Sequence, residues 1–134
     1  MAELKPTYPL AESGAREART SSGRQVSEIT LDAVVRGDVT PDDIRVSPEV
    51  LRQQADFAQA GGNPQLADNL RRGAELVAFS DEELLGLYES LRPGRATAAE
   101  LDALADRLEA GEAVLCAAMV REARAAYVRR GLTS

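Results

Sequence analysis

Six times between Thr30 and Glu100 the sequence sets an oxygen-bearing side chain where a helix can begin. Thr40 precedes Pro41, Asp42 and Asp43, and Ser47 precedes Pro48 and Glu49. Each group supplies a side-chain oxygen to cap a free amide, a proline whose missing N–H costs nothing, and carboxylate at the positive end of a helix dipole. Asn63 with Pro64 restarts the chain as cap and first residue, and Thr30 can cap a short helix. Ser80 with Glu83, and Thr97 with Glu100, have the spacing of capping boxes. Stops alternate with these starts at Gly37, Gly61 with Gly62, Pro93 with Gly94, and Gly131. A chain punctuated in this way is committed to a series of short helices.

Apolar spacing agrees with the punctuation. Leu51, Ala55 and Ala58 share a face widened by Val50 and Phe57, and Leu66, Leu70 and Val77 form a second stripe. Leu84, Leu87, Tyr88 and Leu91 recur at i, i+3, i+4, i+7, as do Leu101, Leu104, Ala105 and Leu108. The final segment carries Val114, Leu115, Ala118, Met119 and Val128. Gly111 poses a choice: the phase of Leu101, Leu108 and Leu115 suits one continuous helix, with glycine costing about 1 kcal/mol. Glycine soon after the last strong apolar position also marks a helix end, and the spacing is read here as a break. No alternating apolar run of useful length occurs, which predicts no sheet. The expected fold is all-α: a single small domain of about six helices over residues 26–134, preceded by an extended N-terminal arm over residues 1–25.

The arm has few large apolar side chains and cannot offset its ordering entropy by burying its own surface. Pro6 and Pro9 favour extended backbone around Tyr8, so Tyr8, Pro9 and Leu10 form a candidate anchor for a partner's pocket; a frayed terminus is the plainer alternative. Only 4% of the residues are aromatic and none is Trp, so the core must be Leu, Val and Ala on close-packed helices. A net charge of -6 works against a nucleic-acid partner, which needs a basic face. Arg16, Arg19 and Arg24, and Arg121, Arg124, Arg129 and Arg130, are local exceptions that read as solvated or protein-facing surface. No apolar run approaches the ~18 residues of a membrane span, and no signal-peptide pattern is present. With one cysteine, Cys116, no internal disulfide can form, and a cytoplasmic location is expected.

Chemistry is sparse. Histidine is absent, which removes the commonest general base and metal ligand and the usual partner of a Ser or Cys nucleophile. One cysteine cannot build a zinc site, and the apolar neighbours of Cys116 favour a buried packing role. Gly61 and Gly62 are followed by Asn-Pro rather than a lysine-bearing phosphate loop. Asp42 with Asp43, and Asp81, Glu82 and Glu83, lie in predicted first helical turns, where the dipole alone explains them. No catalytic, cofactor-binding or metal-binding residue is assigned.

The ordered set YPL (Tyr8 to Leu10), ITLDAV (Ile29 to Val34), VTPDDIRVSPEVLRQQA (Val39 to Ala55), NLRRGAELVA (Asn69 to Ala78), LYESLRP (Leu87 to Pro93), TAAELDALADRLE (Thr97 to Glu109) and CAAMVREARAAYVRR (Cys116 to Arg130) covers nearly the whole chain. Taken together these stretches resemble the small (gamma) subunit of adenosylcobalamin-dependent diol dehydratase and glycerol dehydratase. Three departures stand out. Gly94 replaces an aromatic expected between Pro and Arg, the chain is one residue shorter around Gly111, and the longer amino-terminal extension of the diol dehydratase branch is missing, which leaves diol against glycerol preference open.

The resemblance implies a non-catalytic structural subunit of an enzyme that converts a 1,2-diol or glycerol to an aldehyde by radical dehydration. Its partners would be a large (alpha) and a medium (beta) subunit, in a dimer of heterotrimers. Adenosylcobalamin would be bound by those subunits and not by this chain, and packaging in a bacterial microcompartment would come through them. Partner contacts are assigned to Tyr8, Pro9 and Leu10 on the arm and to Arg92 and Pro93 at a helix end, where a guanidinium can bond a partner's backbone or carboxylate. The competing reading is a stand-alone helical protein–protein adaptor with no enzymatic role.

Overall fold

A computed structural model describes residues 7–13 and 18–133; residues 1–6 and 14–17 of the expected arm, Arg16 among them, lie outside the described residues. The helices are α1 (Leu10–Ser13), α2 (Leu31–Val35), α3 (Pro48–Ala60), α4 (Pro64–Leu76), α5 (Asp81–Ser90), α6 (Ala98–Ala110) and α7 (Val114–Arg129), with 3-10 turns at Val26–Glu28 and Pro41–Ile44. Among the described residues there is no strand, and a bridge between Arg19 and Gln25 stands isolated. The all-α expectation is met. The chain groups into two compact units, Met1–Leu70 and Arg71–Ser134.

All six starts are used. Thr30 Oγ1 accepts from the Ala33 amide at 3.2 Å, Ser47 Oγ from Val50 at 3.5 Å, and Asn63 Oδ1 from Leu66 at 3.2 Å. The Thr40, Ser80 and Thr97 amides each donate to the carboxylate three residues on, all at 2.8 Å. Four ends share one pattern in which two amides turn back onto the last carbonyls: Asp38 to Ala33, Asn63 to Ala58, Ala113 to Leu108 and Leu132 to Tyr127, at 2.8 to 2.9 Å. This geometry requires one residue in the left-handed region just before the second donor. Glycine occupies it at Gly37, Gly62 and Gly131, but between α6 and α7 it is Glu112, with φ 64°.

The break at Gly111 is therefore real, and its cause is steric as well as conformational. Gly111 itself has an ordinary φ of -87°. A Cβ there would sit 2.9 Å from Phe79 Cζ, so any side chain would have to displace the end of the ring packed beside it. Gly94, where the resemblance expects an aromatic, has φ 78° and lies beside a shallow cleft of about 370 Å³ lined by Ala96, Gly131, Leu132 and Thr133.

The core of the second unit joins Leu87 of α5, Leu101, Leu104, Ala105 and Leu108 of α6, and Ala113, Cys116, Ala117 and Val120 at and along α7. Every α6 position expected inside is buried. On α7 the expectation is reversed: Val114, Leu115, Ala118, Met119 and Val128 face out, and Cys116, Ala117 and Val120 face in. α7 is apolar on two sides, and its smaller side lets α6 come close. The pair runs antiparallel, with Arg121 to Asp106 at 3.0 Å and Arg124 to Asp102 at 3.2 Å along its edge. Tyr88 is likewise exposed rather than buried, and on α4 the buried positions are Ala67 and Ala74 rather than Leu66 and Val77.

Replacing Glu112 with Gly is expected to stabilise the fold by up to about 1 kcal/mol, because the left-handed penalty of ~1–2 kcal/mol exceeds glycine's extra ~0.5–1 kcal/mol of chain entropy. Leu101→Ala is expected to cost about 3 kcal/mol, as for other fully buried leucines. Denaturant titration of both variants checks the two signs together.

Candidate functional site

The carboxylates that open the Pro41–Ile44 turn are the most constrained polar groups in the described chain. Asp43 Oδ2 accepts from the Thr40 amide at 2.8 Å and from Thr40 Oγ1 at 3.3 Å. Its Oδ1 accepts from Ser22 Oγ, and the Arg24 guanidinium lies 3.6 Å away. Asp43 is buried, whereas Asp42 is exposed and paired with Arg45 at 3.2 Å. The Ser22 hydroxyl, then the Thr40 amide and the Arg24 charge, hold the Asp43 carboxyl down from the usual 3.8 to about 2, against the opposing effect of burial. Arg24 also donates to the Asp38 carbonyl at 2.8 Å, and Ser21 to the Asp42 carbonyl at 3.1 Å. Residues 18–25 of the expected arm are thereby tied to the chain's own residues 38–43. These contacts of Asp43 are all to its own chain and serve the turn and the segment packed on it.

Cys116 is buried, and its thiol donates to the Arg72 carbonyl at 3.5 Å. Burial, reinforced by the neighbouring Glu75 carboxylate, pushes the thiol up to about 12, so it is a packing group and no thiolate nucleophile at neutral pH. Glu75 has a different task. Its two carboxylate oxygens accept from the Leu115 and Cys116 amides, both at 2.9 Å, and so cap α7 from another helix where Ala113 has no side chain to do it. Among the described residues, no group of three His, Cys, Asp or Glu is gathered to hold a metal, and no helix is long and apolar enough to cross a membrane.

What the second unit presents instead is surface. Val114 and Leu115 are 54% and 45% exposed, and with Ala118 and Met119 they make a continuous apolar patch on the first two outer turns of α7. On the first unit α2 buries only Ala33 and turns Leu31, Val34 and Val35 outward, while Ile44 and Val46 are exposed in the following segment. Large apolar residues grouped on one face and left in water mark a surface made to be covered.

The residues singled out for partner contact fall in separate units. Tyr8 is 79% exposed, with its ring edge-on to Phe57 at 5.9 Å; Pro9 follows it through a cis peptide, and Leu10 starts α1 half-buried. Tyr8 and Leu10 line an open apolar groove of about 820 Å³ with Phe57, Ala58, Leu66 and Leu70. Arg92 and Pro93 are exposed just after α5, with Arg92 bonded to Glu89 at 3.1 Å. The α7 patch was missed as surface because its residues fit a buried stripe equally well by spacing. The signal available was that α7 carries more apolar positions than one face can hold.

Comparison with known proteins gives one consistent result. A family model described as dehydratase small subunit matches residues 4–133. The propanediol dehydratase small subunit of Citrobacter freundii is 44% identical over 124 residues, which is 92% of this chain and 72% of the relative. The propanediol dehydratase small subunit of Salmonella typhimurium has the same identity and coverage.

Asp43 has a folded-state pKa below its unfolded one, so its contribution to stability is fully present above about pH 4 and is lost as pH falls through about 2. Asp43→Asn is expected to lower stability at neutral pH, and its deficit against wild type is expected to shrink between pH 4 and pH 2. Chemical denaturation of both proteins across that window provides the measurement.

Proposed function

Because the chain belongs to the dehydratase small-subunit family, we propose that it is the non-catalytic scaffold of an adenosylcobalamin-dependent dehydratase acting on a 1,2-diol or glycerol, assembled with a large and a medium subunit. The observation that carries this reading is the two-sided α7. Its small inner face completes this chain's own core, and its larger outer face, Val114, Leu115, Ala118 and Met119, is left exposed. In that reading the outer face is covered by a partner subunit. Residues 26–134 form the scaffold and residues 1–25 the arm, whose root Asp43 holds in place. Tyr8, Pro9, Leu10, Arg92 and Pro93 are proposed as further contacts, the complex as a dimer of heterotrimers, and its location as the cytosol or a microcompartment entered through its partners.

In this reading the cobalamin is held by the other subunits. This chain has no histidine to ligate cobalt, and the sulfur of Cys116 is buried and bonded to backbone. No step of the dehydration is therefore assigned to it. A radical reaction needs a site closed to solvent, and a rigid subunit bound to the chain that carries the site favours the closed state.

Co-expression with the large and medium subunits is expected to give a complex that retains this chain, and omission of the chain is expected to lower yield and activity of the other two. Full activity without it overturns the scaffold reading, and failure to enter the complex overturns the family function. Leu115→Asp with Met119→Lys, both solvent-facing, is expected to leave helix content intact and to weaken retention at least tenfold in size-exclusion and pull-down measurements.

A further inference from the structure

The α7 patch is small for the contact asked of it. A stable subunit interface buries about 800 Å² on each side and takes about 20–30 residues. Four α7 side chains are too few to supply that contact, and α5 carries a further exposed apolar stripe. Leu85, Tyr88 and Arg92 recur at i, i+3, i+7, which places them on one side of the helix and its C-terminal turn. Leu84, Leu87 and Leu91, on the other side, turn inward. Leu85 and Tyr88 are 69% and 70% exposed, and Pro93 beside them is exposed too.

The charge at the end of this stripe is unbalanced in a definite direction. Glu89 accepts from Arg92 at 3.1 Å through Oε2 and at 3.4 Å through Oε1, and the Arg95 guanidinium lies 3.4 Å from Oε1 as an ion pair. One carboxylate faces two guanidiniums, which leaves a local positive charge on a chain whose net charge is -6. Glu89 also limits the rotamers of Arg92, so less side-chain entropy remains to be lost when a partner binds. A tyrosine and a pre-oriented arginine are residue types on which interface energy concentrates, and Leu85 adds apolar area beside them.

We propose that the outer face of α5, Leu85, Tyr88 and Arg92, is a second docking surface, and that its occupant is a partner-subunit segment presenting an apolar recess beside a carboxylate. The inference rests on the subunit reading above. Leu85 and the Tyr88 ring fill the recess, and the partner carboxylate joins Arg92 and Arg95 to neutralise the excess charge around Glu89. The patch on α7 and the stripe on α5 are separate apolar surfaces of one unit, so each is tested by its own substitutions.

The test uses the co-expressed three-subunit complex, with dissociation of the small subunit followed as a function of NaCl. Leu85→Ser with Tyr88→Ala is expected to weaken retention at least tenfold at all salt concentrations. Arg92→Glu is expected to weaken it at low salt and to flatten or invert the salt dependence seen with wild type, an effect that a purely structural residue would not produce. Circular dichroism of each variant chain is expected to match wild type, since none of the three side chains is buried. Wild-type retention and salt dependence in both variants overturn the α5 assignment. A wild-type chain that never enters the complex overturns the subunit reading instead, so the two failures are distinguishable.

Discussion

Close approach of α6 and α7 is the constraint on which the rest of the second unit depends. The inner side of α7 is built from Ala113, Cys116, Ala117 and Val120, small enough for Leu101, Leu104, Ala105 and Leu108 of α6 to pack closely against it. That choice has a consequence for every larger apolar residue on α7. Leu115 and Met119 are larger than any α7 residue in that seam and lie outside it, as does Val114. The exposed apolar surface of α7 is thus a by-product of how tightly the two helices meet.

The ends of the pair are held by groups from elsewhere in the same unit. Phe79 lies against Gly111, so any side chain there, in the turn between the helices, would have to displace the end of the ring. Glu75 supplies α7 with the N-terminal acceptors its own sequence lacks. Tyr127 donates to the Leu91 carbonyl at 2.6 Å and Thr133 to the Ala96 carbonyl at 2.6 Å, tying the far end of α7 to the segment after α5. Each of these bonds satisfies a backbone group that burial would otherwise penalise. In the first unit Asp43 has the corresponding role, because one buried carboxylate gathers Ser22, Arg24 and Thr40 around a turn with little apolar core of its own.

A protein organised in this way commits its polar chemistry to its own architecture. Asp43 caps and clamps, Glu75, Glu83 and Glu100 cap, and Cys116 packs. Hydrogen bonds from Ser22 and Thr40 hold the Asp43 carboxyl down, and those from Ser80 do the same for Glu83, so both stay ionised at neutral pH. Membership of the dehydratase small-subunit family and the outward apolar faces of α7 and α2 point the same way: this chain completes a surface on something larger.

Helix identity was legible in the residues because capping is local. The oxygen at Thr30, Thr40, Ser47, Asn63, Ser80 or Thr97 and the amide it meets are within three residues of each other, so spacing alone decides the bond. The buried face of α6 was legible for a related reason, since only one side of that helix is apolar. The face of α7 was not, because two apolar stripes satisfy the same periodicity and only the neighbour selects between them. Nor was the Glu75 cap, whose partners lie 40 and 41 residues away, or the pinning on Asp43 of Ser22, 21 residues away, and of Arg24 beside it. By itself the sequence determined where helices begin and end, and its resemblance pointed to the family. Tertiary structure decided which side of each helix is spent on the chain's own core and which is left for a partner, because that choice depends on distances between segments that no local pattern encodes.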